Sequence, residues 1–133
     1  MMITKLGRPW SMNPSLDTEI YIDGDIDLAG LEEFVAEVAA GIARGTFGDD
    51  TRWYDFIHVA RNKEYQPIAD RVPGDEFLFS MYILDVGPSA TIDAEVFKQC
   101  VATLLEMIWA ASYSATTACH FEDELPFEGS RTF

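Results

Sequence analysis

Two histidines, His58 and His120, and two cysteines, Cys100 and Cys119, are the side chains best suited to chemistry in this chain of 133 residues. Zinc wants three or four ligands at matched spacing, and no H-x-H, H-x-x-x-H or C-x-x-C is present. With Asp55, Glu122 or Cys119 nearby, either histidine could join a metal site or act as a general base. Against that, Cys119 and His120 are sequence neighbours and point to opposite faces of a regular strand. No Ser or Cys nucleophile carries a flanking motif. The residues therefore predict no catalytic group, no metal and no cofactor.

Acidic motifs read the same way. The run Asp23-Gly24-Asp25-Ile26-Asp27 resembles the opening of a calcium loop. Such a loop needs Gly at its sixth position and Glu at its twelfth; Leu28 and Phe34 stand there instead. A turn leading into a helix, with acids favoured by the positive helix end, explains the run better. No G-x-x-x-x-G-K, G-x-G-x-x-G or G-x-S-x-G occurs, so nothing supports a P-loop, dinucleotide-binding or hydrolase-elbow site. Carboxylate pairs are abundant, but none stands out as a glycosidase pair.

Charge is the strongest signal. Twenty-three Asp and Glu oppose nine Lys and Arg, a formal net charge of -14. The acids cluster at 17–27, at 49–55 and at 122–128. Such a surface repels nucleic acid and anionic membranes and steers a basic protein toward itself. The segment Cys119-His120-Phe121-Glu122-Asp123-Glu124-Leu125-Pro126-Phe127 interleaves acids with aromatics. It reads as a strand end with solvated acids, or as a patch with aromatic anchors ringed by charge. On the second reading the partner-binding residues are Asp23, Asp25, Phe121, Glu122, Asp123, Glu124 and Phe127, with Trp10 as a further anchor.

The elements that must position these residues follow from periodicity. A hydrophobic content of 48% predicts a packed core, in a single domain over 17–127. Residues 1–16, with Pro9 and Pro14, form an extended lead-in, and 128–133 a tail. No secretory signal and no membrane span is expected, and the cysteine spacing suits a reduced, cytoplasmic protein. Residues 18–23 alternate as a strand. Asp25 and Asp27 offer N-cap oxygens to a helix striped by Leu28, Leu31, Val35, Val38 and Ile42, with Gly45 as its left-handed end. Strands follow at 53–60 and 76–86, the latter ended by Gly87 and Pro88. Asp93 caps a second helix striped by Phe97, Val101, Leu104 and Ile108, and a last strand spans 113–121. The order strand-helix-strand-strand-helix-strand predicts an α+β fold: a ferredoxin-like split βαβ, with an antiparallel sheet and two helices on one face.

That fold leaves one sheet face uncovered. Phe77, Phe79, Met81 and Ile83 against Leu78, Tyr82 and Leu84 make both faces of the third strand apolar, which predicts a partner, a homodimer or cover by residues 1–16. RNA-binding domains of this topology use aromatic sheets, but the charge opposes that use. Trp53, Tyr82, Trp109 and Tyr113 read as core rather than as pocket lining.

In size, element order and acidity, residues 17–127 resemble immunity proteins of bacterial polymorphic toxin and interbacterial competition systems. The segment 119–126 is similar to the strand end of some of their uncharacterised members. The resemblance implies an acidic, cytoplasmic, antitoxin-like protein that masks a basic toxin, and it assigns no residue. Two alternatives stand beside it: a dimeric ferredoxin-like enzyme or ligand sensor for a small molecule, by fold analogy, and a phage accessory or inhibitor protein.

Overall fold

A computed structural model describes residues 14–74 and 76–133. Strand β1 (Thr18–Asp23) leads to helix α1 (Leu28–Phe47); β2 (Tyr54–Arg61) and β3 (Tyr82–Pro88) follow, then helix α2 (Ala94–Ala110), β4 (Ser114–Ala118) and β5 (Ser130–Arg131). The strands form one antiparallel sheet in the order β2-β3-β1-β4-β5. The first four stand in the ferredoxin-like arrangement, with both helices on one face.

Alternation in the strands aims one set of side chains at the helices. Ile20 and Ile22 of β1, Leu84 and Val86 of β3, Val59 of β2 and Ala115 of β4 are buried there. They meet Leu31, Val35, Val38 and Ile42 of α1 and Phe97, Val101, Leu104 and Ile108 of α2 in one continuous core. Trp53, Tyr82 and Trp109 belong to it, and each finds a carbonyl for its polar atom: Ala39 at 3.1 Å, Ile26 at 2.7 Å and Ala115 at 3.2 Å. Those bonds spare the core the cost of an unpaired buried donor.

Helix starts follow the sequence. The Asp27 carboxylate accepts from the Gly30 amide at 2.8 Å, and Asp93 accepts from Glu95 and Val96. Asp25 makes no cap. The end of α1 differs from expectation. Gly45 stays helical, and the left-handed residue is Gly48 (φ 78°), whose amide bonds the Arg44 carbonyl at 2.9 Å. The helix continues for as long as its face has core to cover, and Ala43 and Phe47 still pack inward.

Strand boundaries also move, by one residue at each end of β2 and by more in β3 and β4. Residues 76–79 form a 3-10 turn, so β3 starts at Tyr82 and runs through Pro88, a strand terminus that tolerates proline. The buried Asn62 side chain holds that turn, donating to the Leu78 and Ser80 carbonyls at 2.9 and 2.8 Å. The last long strand stops at Ala118, short of Phe121. Residues 128–133 are not a loose tail: Ser130 and Arg131 pair with β4, and Gly129 is buried.

The sheet face turned away from the helices is consequently not apolar among the described residues. With Phe77 and Phe79 outside the sheet, it presents Glu19, Tyr21 and Asp23 from β1, His58 from β2, Asp85 from β3, and Ser114 and Thr116 from β4. Its large apolar members are Phe56 and Ile83. The Phe56 ring lies across Gly87, where a Cβ would stand 2.2 Å from the ring. Phe77 reaches back over Tyr21 edge-on at 5.3 Å. Burial, then the Glu19 carboxylate, push the Tyr21 hydroxyl up to about 12.

Candidate functional site

Antiparallel pairing separates the two acidic clusters. Asp23 pairs with Ser114, at the start of β4, whereas Glu19 pairs with Ala118, at its end. The turn Glu122–Glu124 follows that end, so it lies at one end of β1 while Asp23 and Asp25 lie at the other. Six residues of strand hold them roughly 17 Å apart.

At the Asp23 end the charge is committed to structure. Arg71 donates from Nη1 and Nη2 to the two Asp23 oxygens at 2.7 and 3.0 Å, and from Nε to the Gln66 carbonyl at 2.8 Å. The Met81 amide adds a bond to Asp23 at 2.9 Å. The Arg71 side chain is 5% exposed and that of Asp23 20%. Burial alone would raise the Asp23 carboxyl. The Arg71 and Met81 hydrogen bonds, the Arg71 charge and the Ser80 hydroxyl outweigh it and hold the group below its ordinary value. This pair ties the long β2–β3 connection to the sheet. Beside it Asp25, Tyr65, Ile68 and Phe133 line a cleft of about 430 Å³. Asp25 is exposed there, but Asp23 is a structural residue rather than a free contact.

At the opposite end the charge stays in solvent. Glu122, Asp123 and Glu124 are exposed on one 3-10 turn next to the first turn of α2, where Asp93 and Glu95 are exposed too. Lys98 donates to Glu95 at 3.2 Å and to Glu124 at 3.1 Å. It sets one ammonium against five carboxylates. The amide of Cys119 donates to Glu122 at 3.3 Å, which orients that side chain. Helix polarity favours the acids here, because the positive end of α2 points at them.

Phe121 corrects an expectation. It is 2% exposed and packs edge-on against Phe97 beneath Lys98, so it anchors the acidic turn to the core and cannot anchor a partner. Phe127 is 66% exposed at φ 54°, edge-on to Trp109 and covered on one side by Arg131. Trp10 lies outside the described residues, as do residues 1–13 of the lead-in.

The histidines stay apart. His58 is exposed on edge strand β2, and His120 is exposed in the turn after β4, three strand spacings or about 14 Å across the sheet. Among the described residues no three His, Cys, Asp or Glu side chains gather as metal ligands. Both cysteines are free, and burial pushes the Cys119 thiol up to about 11, away from the reactive thiolate. No helix of the described residues is long and apolar enough to cross a membrane.

Sequence reasoning missed a second cleft. A groove of about 630 Å³ runs between α1 and α2 on the outer helical surface, lined by Phe34, Val38, Gly41, Ile42, Thr103 and Met107 among others. Neither histidine lines either cleft. Compared with protein-family models, with curated proteins and with solved structures, the chain matches none.

Proposed function

We propose that this chain is an acidic protein-binding module that masks a basic partner, in the manner of the immunity proteins it resembles. The observation that carries the reading is the turn Glu122–Glu124 with Asp93 and Glu95, five exposed carboxylates of which Lys98 pairs with Glu95 and Glu124. Like charges held that close in solvent raise the local potential and speed the arrival of a basic surface. A steric and electrostatic plug breaks no bond. It needs shape, charge and rigidity, and the Phe121 anchor supplies the last. The partner class that fits is a basic protein such as a toxin domain, with contact residues Asp25, Glu122, Asp123, Glu124 and Phe127.

Two steps test this. Tagged protein is used to capture its partner from source lysate at low and at high salt, with identification by mass spectrometry. The association rate of the captured protein is then followed by stopped flow against ionic strength. The expected result is one basic protein whose on-rate falls steeply with salt and falls again in an E122K/D123K/E124K variant. An on-rate independent of both salt and the triple variant rejects the reading.

A further inference from the structure

The groove between α1 and α2 is open for a specific reason. Gly41 and Gly45 stand one turn apart on the α1 face that borders it, and a Cβ built on either meets nothing within 4 Å. Both sit inside a helix of ordinary handedness, and glycine in a helix interior destabilises it relative to alanine. Neither is required by a tight contact or a left-handed turn. Their effect is to leave an apolar trough floored by Phe34, Val38 and Ile42 and walled on the α2 side by Met107, which is 46% exposed. Methionine is the side chain best able to reshape around a guest.

Carboxylates outnumber cations around the rim. Glu37 lines the groove, and Glu33 is exposed one turn before it. Glu106 is exposed beside Met107. No Lys or Arg lines the trough. Arg44, the nearest cation along α1, reaches toward Asp50 at 3.9 Å. We propose that this groove receives an amphipathic basic helix of the protein partner, its apolar side on Phe34, Val38, Ile42 and Met107 and its Lys or Arg residues against Glu33, Glu37 and Glu106. Absent side chains at Gly41 and Gly45 let the guest backbone come close, and an apolar trough with charged edges is the usual receptor for such a helix. The inference rests on the masking function and gives it an address distinct from the Glu122–Glu124 turn.

The probe is a synthetic helical peptide of Leu and Lys with its leucines on one face. Two controls are a Ser/Lys peptide of equal charge and a Leu/Glu peptide of opposite charge. Each is titrated into the full ¹⁵N-labelled chain and followed by amide chemical shifts. Saturable shifts at Gly41, Gly45, Thr103 and Met107 with the Leu/Lys peptide only are expected. Gly41→Leu, which fills the trough, should weaken that binding tenfold or more while Tm stays at or above that of the parent. Met107→Glu should weaken it with the fold retained. Equal shifts from Leu/Lys and Ser/Lys peptides, centred on Glu122–Glu124, would overturn the groove and leave the masking function standing. No shifts with either basic peptide would count against both. Two further results also overturn the proposal. A dimer on sizing that Gly41→Leu dissociates makes a second copy the occupant. Groove shifts in peptide-free Trp10→Ala make it the chain's own N-terminal segment.

Discussion

The two ends of β1 carry the same chemistry to opposite purposes. At one end Asp23 and Arg71, 48 residues apart in sequence, meet in a two-pronged, nearly buried pair. At the other, Lys98 spans Glu95 and Glu124, whose side chains are 72% and 50% exposed. Coulomb attraction is similar in kind, but solvent screens the second more than the first. In these two ion pairs a carboxylate is structural or available according to its burial. Of the acids that sequence alone marked for a partner, Asp23 is spent on the fold, whereas Glu122, Asp123 and Glu124 are not.

The largest effect expected from breaking this contrast is that of Arg71→Ala. Removing one member of a buried pair strands the other, at about 3 kcal/mol in urea unfolding. A loss below about 1 kcal/mol would make the Asp23 end no different from the surface. Lys98→Ala should leave the urea midpoint unchanged.

Acid sharpens the comparison next. Asp23 titrates near 3.8 when unfolded and lower when folded. Its contribution is complete above the unfolded value and is lost as pH falls through the folded one. Unfolding midpoints measured from pH 6 to pH 2 should show this acid-sensitive component in the parent and not in Arg71→Ala. Persistence of the full component in the variant would assign it to other carboxylates.

The helix caps serve as an internal control, because here the two ends are alike. Both ends have an exposed aspartate cap: Asp27→Ala removes one side-chain bond to a first-turn amide and Asp93→Ala two, at about 1 kcal/mol per cap. Unequal losses would show that the ends differ in more than their ion pairs. The smallest effect on stability belongs to E122K/D123K/E124K. Its thermal midpoint should stay close to that of the parent while association with the basic partner slows; a cooperative loss of fold would place the acidic turn among the structural elements.

Much of the fold is readable in the sequence because it is local. Apolar spacing along α1 and α2, the caps at Asp27 and Asp93, and the alternation in β1 each depend on neighbours within a few residues. The element order then leads to a ferredoxin-like sheet. Boundaries that depend on distant partners are not readable in the same way. Residues 76–79 look like strand by composition, yet Asn62 holds them as a turn. Phe121 and Phe127 sit in one motif and carry the same side chain, but Phe97 packs against one in the core while the other lies largely exposed between Trp109 and Arg131. The interhelical groove left no mark beyond two glycines, since its existence depends on how far apart α1 and α2 pack.

The sequence by itself determined the charge, the order of elements and the helix-facing stripes, because composition and period are properties of neighbouring residues. Tertiary structure alone decided which carboxylates are free, which aromatic is exposed and where an apolar trough opens. Those are matters of burial, and burial is conferred by residues that meet only when the chain is folded.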